Sequence, residues 1–340
     1  MMASLSARRQ TLLAIAIFVA LTLLFFRQVI FSGLHYTTTD VRETAGAVAP
    51  LDAALQEGVY PLWNPYIFSG MPSYASLMLV PYRAASLIDR ITNLPFATPR
   101  RFALVLHFIF AGLGTFVYLR WRGTDVASAI LGGLAFEFSV HVVSMATGGG
   151  DTKLMTIGYL PWAMWAVERL LALHSPARAA TLALVLGMQL LSTHVQMAYY
   201  TWLAVGLCVL YWIAYSFSHR AGVDRVTLPL LLAALAVGLA LAAVLYLPIA
   251  NYTPYSIRGG ASGLSVERAA QWSLPPWELL TFVAPHLFGF GGTTYWGGLP
   301  FNDIAHYGGI VVLALAIVAV VKRLNLQSPI PNLQSPISNH

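Results

Sequence analysis

Residues 227–250 read TLPLLLAALAVGLALAAVLYLPIA and contain no charged side chain. A run of about 17 to 25 apolar residues can cross a bilayer as a helix, and several other runs of this kind follow one another along the chain. Of 340 residues, 58% are hydrophobic and 9% are charged, whereas soluble domains are about 25% charged. The runs do not alternate in polarity as the strands of a membrane barrel do. The sequence therefore predicts an all-α, polytopic membrane protein.

The apolar runs predict about eight transmembrane helices, and the Lys and Arg residues cluster at their ends. The predicted helices cover about 11–26 (extendable to 31), 101–119, 126–146, 154–173, the run 179–217 divided into two at 192–196, 227–250 and 307–321. The flanking cations are Arg8 and Arg9, Arg120 and Arg122, Arg169 and Arg178, Arg220 and Arg225, and Lys322 and Arg323. Cations so placed follow the positive-inside rule. They predict a cytoplasmic N-terminus, and they explain the net charge of +6 without a nucleic-acid partner.

Two long outer loops follow from this topology, at about 32–100 and 251–304. In the first, residues 41–57 and 74–91 mix apolar and polar positions and are expected to form helices along the membrane surface. Between them, the block 61–72 (PLWNPYIFSGMP) has three prolines and a glycine that forbid a regular helix. Its aromatic residues suit either an interfacial anchor or the wall of a binding site. In the second loop, the apolar patch 279–290 is too short to span and is expected to be interfacial or re-entrant.

The two ends of the chain have different predicted characters. The charged start and apolar run resemble a signal peptide, but no small-residue cleavage pattern follows, so an uncleaved first helix is expected. Residues 325–330 and 332–337 both read NLQSPI. This repeat predicts a disordered tail over 324–340, after a membrane module over 1–323. The single cysteine, Cys208, excludes an intrachain disulfide.

Several ordered blocks resemble the YfhO-type bacterial membrane proteins. They are PLWNPY at 61–66 with GMP at 70–72, THVQ at 193–196 with Tyr199 and Tyr200, QWS at 271–273, ELLT at 278–281, Pro285, YWG at 295–297, and Tyr307 with Gly309. The resemblance implies a polytopic glycosyltransferase of the GT-C class in the bacterial cytoplasmic membrane. Such enzymes take a sugar from a polyprenyl-phosphate carrier on the outer face. Family members are longer, so the chain is interpreted as a C-terminally truncated relative.

The resemblance implies that an acidic residue in the first outer loop is the catalytic base, and Asp40 stands at that place. Inverting transfer needs a carboxylate to take the acceptor proton, and cations or hydrogen-bond donors to stabilise the departing phosphate. Asp40 is equally suited to capping the helix expected at Val41. Glu43, one turn further, is placed to pair with Asp40 or to help bind a divalent cation. The substrate-binding candidates are Glu43, Trp63, Asn64, Asp151, Lys153, His194, Gln196, Arg258, Arg268 and Tyr295.

Other interpretations stay open at this point. Asp151 and Lys153 also suit a solvated hairpin, and His194 and Gln196 suit a helix end. Glu137 lies within a predicted membrane helix, where a charge is costly, and His141 one turn on is its expected partner. A lipid-carrier or solute translocator, and a non-catalytic protein of envelope assembly, are the alternative functions. Membrane lipid is an expected partner, while the sugar, the acceptor, the metal requirement and the oligomeric state cannot be read from the sequence.

Overall fold

The structure is a helical bundle, as its apolar composition predicts. It is a computed structural model, and it describes residues 6–32, 34, 46, 49–51, 53–54, 57–74, 99–147, 151–219, 225–256, 259, 265–289, 291–299 and 306–325. The helices are α1 (Ala7–Phe25), α2 (Arg27–Phe31), α3 (Pro99–Trp121), α4 (Val126–Glu137), α5 (Val140–Thr147), α6 (Asp151–Ile157), α7 (Leu160–Ala172), α8 (Pro176–Leu191), α9 (Val195–Ser218), α10 (Thr227–Tyr252), α11 (Val266–Ala270) and α12 (Ile310–Asn325). Two short strands, β1 (Trp63–Asn64) and β2 (Met71–Pro72), pair antiparallel.

Four of the described helices are long and apolar enough to cross a membrane, or five if a bent pair counts as one span. The spans are Arg8–Phe25, Leu104–Trp121, Val195–Ser218 and Thr227–Tyr255, and the pair is Val126–Glu137 with Val140–Ala146, bent by 41°. The described part of the chain thus confirms an all-α fold of membrane type, while the count of eight spans stays a prediction. The apolar helices Pro176–Leu191 and Ile310–Lys322 are shorter.

The predicted division of the run 179–217 is confirmed, because α8 ends at Leu191 and α9 begins at Val195. Thr193 turns the chain there with a left-handed φ of 75°. Two other predicted helices are each broken in the structure. Residues 126–146 are interrupted at Phe138 and Ser139, and residues 154–173 are interrupted at Gly158 and Tyr159. Each of these runs therefore forms two shorter helices.

One end of the bundle carries a cluster of cations, here called the basic end. Arg122 forms a salt bridge of 3.3 Å with Glu168, which also accepts a hydrogen bond of 2.9 Å from the Tyr118 hydroxyl. The Arg169 guanidinium lies over the rings of Trp121 and Trp165, at 5.7 and 4.6 Å from their centroids. These contacts join the C-terminal ends of α3 and α7. The predicted clustering of charge at helix ends is therefore seen in the fold.

Local hydrogen bonds begin two of the helices at the basic end. The Asp125 carboxylate accepts hydrogen bonds from the Ala127 and Ser128 backbone N–H groups and from the Ser128 hydroxyl, which lower the pKa of Asp125. Ser175 caps α8 in the same way through the Arg178 N–H. Capping side chains satisfy N–H groups that have no partner within the helix. They fix where α4 and α8 start.

The core packs at glycines where helices meet closely. A Cβ atom on Gly133 of α4 would lie 2.8 Å from the Gly112 carbonyl oxygen of α3 and 2.5 Å from the Phe18 ring of α1. Phe18 is fully buried and its ring packs on Phe116 with centroids 6.2 Å apart. A second buried cluster joins α7, α8, α9 and α10 through residues that include Leu170 and Leu182. Backbones can approach this closely only because the glycines lack side chains.

Glu137 is fully buried, but the prediction that it pairs with His141 is wrong. Its Oε1 atom is hydrogen-bonded to the Thr22 hydroxyl of α1, and Oε2 has no hydrogen-bond partner among the described residues. Glu137 is the last residue of α4, and the break at Phe138 separates it from His141 in α5. The His141 ring instead lies 5.7 Å from that of His306. The helix break therefore redirects both side chains.

A proline in α10 determines where the first loop attaches to the bundle. Pro248 has no N–H group, so it cannot donate to the carbonyl of Val244 four residues before it. The Tyr74 hydroxyl donates to that carbonyl oxygen at 2.5 Å. An unsatisfied carbonyl is expensive in an apolar surrounding. Tyr74 therefore replaces the missing helical bond and joins the loop to α10.

This replacement predicts a conditional effect on stability. We expect Tyr74→Phe to lower the free energy of unfolding by about 1–3 kcal/mol, because it leaves the Val244 carbonyl without a donor. In a Pro248→Ala background, the restored N–H at position 248 satisfies the Val244 carbonyl. Tyr74→Phe should then lower the free energy of unfolding by only a few tenths of that amount. Denaturant unfolding in detergent measures both values. Tyr255→Phe, at a residue that is 84% exposed, is the matched control. Equal costs in the two backgrounds would contradict the assignment.

The outer loops are described only in part. In the first loop, the backbone is helical at 46, 49–51 and 53–54, within the predicted surface helix 41–57, and the second predicted surface helix lies outside the described residues beyond Tyr74. In the second loop, the predicted interfacial patch 279–290 begins in a 3-10 helix (Pro276–Phe282) and continues in turns. Helix α12 extends to Asn325. Residues 324 and 325 of the predicted tail are therefore helical, and its remainder lies outside the described residues.

Candidate functional site

Five of the eleven predicted site residues have no described side chain. Asp40, Glu43 and Arg258 lie outside the described residues. Asp151 begins α6 and Arg268 lies in α11, but only their backbones are described. The assignment of Asp40 as catalytic base, and of the others as substrate ligands, therefore stays a prediction.

Lys153 and His194 are brought together by the fold at the end of the bundle opposite the basic end. Lys153 lies in the first turn of α6, and His194 is the N-cap of α9; both side chains are half-buried. Burial lowers the pKa of His194, the charge of Lys153 lowers it further, and the histidine's own carbonyl opposes them. The imidazole is thus favoured in its neutral form. The charge of Lys153 therefore acts on a ring that is favoured in its neutral form.

The hydrogen bond that caps α9 also selects the His194 tautomer. The Met197 backbone N–H donates to Nδ1 of His194 at 3.3 Å. Nδ1 is therefore the acceptor, and in the neutral ring the hydrogen lies on Nε2. Lys153 offers three further donors on one ammonium group. Both are donors of the kind that bind an oxyanion such as a phosphate.

Gln196, in the first turn of α9, is exposed and donates a 3.0 Å hydrogen bond to the Tyr200 hydroxyl.

Gln189 was not predicted from the sequence as a functional residue, and it lies in the interior where α6, α8 and α9 meet. Gln189 of α8 is fully buried and donates to the Thr156 carbonyl at 3.0 Å and to the Thr201 hydroxyl at 2.7 Å. Its Oε1 atom is without a partner among the described residues. Gln189 ties α6, α8 and α9 together beneath the Lys153 and His194 pair.

Trp63 and Asn64 lie in the small β-hairpin of the first loop. The Asn64 side chain is fully buried, and its oxygen accepts a 3.0 Å hydrogen bond from the Tyr66 N–H. This contact shapes the turn that follows β1, so it gives Asn64 a structural role. The Trp63 ring packs against Gly70, where a Cβ would lie 2.7 Å from it, and 56% of the side chain is exposed. A role in substrate binding stays a prediction for both residues.

The Tyr295 hydroxyl is hydrogen-bonded to the carboxylate of Glu278 in the second loop. The hydroxyl lies 2.8 and 3.0 Å from the two oxygens of Glu278, which is fully buried and also accepts a 2.6 Å hydrogen bond from the Gly298 N–H. The Leu299 N–H donates to the same hydroxyl at 2.8 Å. Burial raises the pKa of Tyr295, so the phenol stays protonated and donates to Glu278. This cluster closes the loop on itself.

His306, which no sequence pattern indicated, lies beside this cluster. Its ring is 5.7 Å from that of His141 and 6.4 Å from that of Phe282. Burial and the neighbouring His141 lower the pKa of His306, while Glu278 raises it. A lone histidine in a polar loop carries no periodic or spacing signal, which is why only the fold reveals this neighbourhood.

Neither a cofactor nor a family is established for this site. The described residues contain no group of three or more His, Cys, Asp or Glu side chains placed to hold a metal ion. The prediction of a divalent cation at Asp40 and Glu43 concerns residues outside that part. Comparison of the chain with protein-family models, curated proteins and solved structures gives no match.

Proposed function

We propose that the protein is an inverting glycosyltransferase that takes a sugar from a polyprenyl-phosphate carrier on the outer face of the bacterial cytoplasmic membrane. In this reaction, an acceptor hydroxyl oxygen attacks the anomeric carbon and forms the new glycosidic bond. The bond from that carbon to the phosphate oxygen breaks, and its electron pair leaves with the phosphate. Asp40 takes the hydroxyl proton as general base. The product is the glycosylated envelope acceptor together with the free carrier phosphate.

The observation that supports this proposal is that the charge of Lys153 acts on His194 at one end of the bundle. The leaving group gains negative charge as the bond breaks, and donors placed at that charge stabilise the transition state. The ammonium of Lys153 and the Nε2–H of His194 are such donors, and they lie at the end of the bundle from which the long loops extend. Arg258 and Arg268 belong to the second of those loops and are further candidate ligands for the phosphate.

A translocator of the lipid carrier is the second candidate, and buried Glu137 favours it. Ionisable groups inside membrane spans often mark the path of an ion or a substrate. Glu137 lies at the break of the bent pair, and one of its oxygens is without a partner among the described residues. A translocator would move labelled carrier across a vesicle membrane without transferring its sugar. Measuring both activities on one preparation distinguishes the two functions.

The phosphate-binding role predicts the effect of removing one charge. We expect Lys153→Gln to lower kcat/KM for a polyprenyl-phosphate-linked sugar by about 10- to 100-fold, the usual value of a hydrogen bond to a charged group. The assay follows transfer of radiolabelled sugar in reconstituted vesicles. Lys322→Gln, at an exposed lysine near the end of α12, is the matched control and should leave kcat/KM unchanged. An equal kcat/KM for both variants would remove Lys153 from the site, and an inactive wild type would contradict the proposed function.

A further inference from the structure

The β-hairpin of the first loop is a built element with an exposed apolar surface. Ser73 closes its base, because its N–H donates to the Leu62 carbonyl at 3.0 Å and its hydroxyl donates to the Pro61 carbonyl. Asn64 fixes the turn after β1 from inside. These bonds do not depend on anything outside residues 61–73. They fix the shape of the hairpin between Pro61 and Ser73.

The tip of this hairpin is held in a conformation that presents a large side chain outward. Phe68 and Ser69 have φ values of 49° and 60°, which are left-handed, and Gly70 follows at 106°. Each such non-glycine residue costs of the order of 1–3 kcal/mol and persists only where the surroundings enforce it. The Gly70 N–H donates to the Ile67 carbonyl at 2.8 Å and helps enforce the turn. Phe68 is 88% exposed as a result.

The exposed surface of the hairpin is uncharged and aromatic. Leu62, Trp63 and Tyr66 are 68%, 56% and 70% exposed, in addition to Phe68. Residues 58–74 contain no Asp, Glu, Lys or Arg. Placing one such side chain in an apolar environment stabilises it by about 1.5–3 kcal/mol relative to water. Trp and Tyr are the residues that favour the level of the lipid headgroups.

The attachment of the hairpin places this surface next to the lipid-facing side of a candidate span. Tyr74, directly after the hairpin, is bonded to the Val244 carbonyl of α10. Around that carbonyl, the side chains of Leu241, Val244 and Leu247 are exposed and apolar. They belong to the span Thr227–Tyr255. The exposed apolar surface of α10 therefore lies beside the hairpin. A bilayer that surrounds α10 also reaches Tyr74, where the hairpin is attached to α10.

We propose that the hairpin of residues 61–73 inserts its Leu62, Trp63, Tyr66 and Phe68 side chains into the interfacial layer of the bilayer that surrounds α10. Its partner is a lipid surface. Insertion anchors the first loop at a fixed depth beside the bundle. The proposal does not depend on sugar transfer, so it stands or falls separately from the proposed function.

A single-cysteine label tests the insertion. Cys208 is the one cysteine of the chain, so Cys208→Ser gives a background in which Phe68→Cys can carry an environment-sensitive fluorophore. The protein is reconstituted in phosphatidylethanolamine and phosphatidylglycerol vesicles whose acyl chains are brominated. Because headgroup-level aromatic positions lie within reach of the acyl chains, we expect quenching about threefold greater than for a label at Glu57→Cys. Glu57 is an exposed, charged residue just before the hairpin.

Tyr66→Cys provides a second position on the same surface, so that the result does not depend on one variant. Quenching by bromolipid at both hairpin positions, with protection from aqueous iodide, supports insertion. Quenching by iodide as strong as at position 57 would overturn the proposal, because the hairpin would then be in water. Protection from both quenchers would overturn it as well, since protein would then cover the hairpin.

Discussion

Replacing Asp40 by Asn is expected to slow sugar transfer by about 100- to 10,000-fold, which is the usual contribution of a positioned general base. The amide keeps the size of the side chain but cannot accept the proton of the acceptor hydroxyl. The KM for the donor should change little, because the base acts on the acceptor in the transition state. Initial rates of transfer in reconstituted vesicles, at saturating donor, measure this effect.

This substitution also separates catalysis from helix capping. Asn caps a helix about as well as Asp does, so a merely structural Asp40 predicts normal activity for Asp40→Asn. Asp40→Ala removes both functions and should lower stability as well. Asp52→Asn changes a second carboxylate of the same loop and serves as the control for general charge effects. Equal rates for wild type and Asp40→Asn would exclude Asp40 as the base.

The second large effect concerns the close contact of α3 and α4. We expect Gly133→Ala to lower the free energy of unfolding by about 1–3 kcal/mol, the usual cost of overpacking a core. The added methyl group would meet the Phe18 ring and the Gly112 carbonyl oxygen, 2.8 Å away. A backbone atom of a packed helix cannot move aside as a flexible side chain can. The two helices must therefore separate to accept the methyl group.

Gly206→Ala is the matched control, because it makes the same chemical change in another apolar helix. A Cβ at Gly206 of α9 has no atom within 4 Å. There the higher helix propensity of alanine should stabilise the protein by about 0.5–1 kcal/mol. Denaturant unfolding of both variants in one detergent gives the two values. A change of the same sign in both would show that the contact of α3 with α4 is looser than described.

The all-α fold class and the ends of several helices could be predicted from sequence, because they depend on local composition. The division of the run 179–217 at 192–196 was predicted correctly, because two helices let Arg178 and Arg220 lie on one side. The break at Phe138 was missed because neither Phe nor Ser interrupts an apolar helical pattern. The break at Gly158 had an available signal, Pro161, which lacks the N–H that would continue a helix.

The contacts of the candidate site were harder to predict, because they join distant parts of the chain. Tyr74 and Val244 are separated by 170 residues, and Tyr295 and Glu278 by 17. No periodicity links such pairs. Lys153 and His194 were both selected from sequence, but the effect of the Lys153 charge on His194 depends on the packing of α6 against α9. Glu137 was assigned to the nearest histidine along the helix, and the break between them made that inference wrong.

The two broken helices divide the bundle into two layers. Helix α4 has 12 residues and α7 has 13, so both breaks lie about 18–20 Å from the basic end, at nearly the same depth. Beyond the breaks, the short helices α5 and α6 pack against each other. The hydrogen bonds of Gln189 join α6 to α8 and α9, so the helix that carries Lys153 is fixed to the helix that begins at His194.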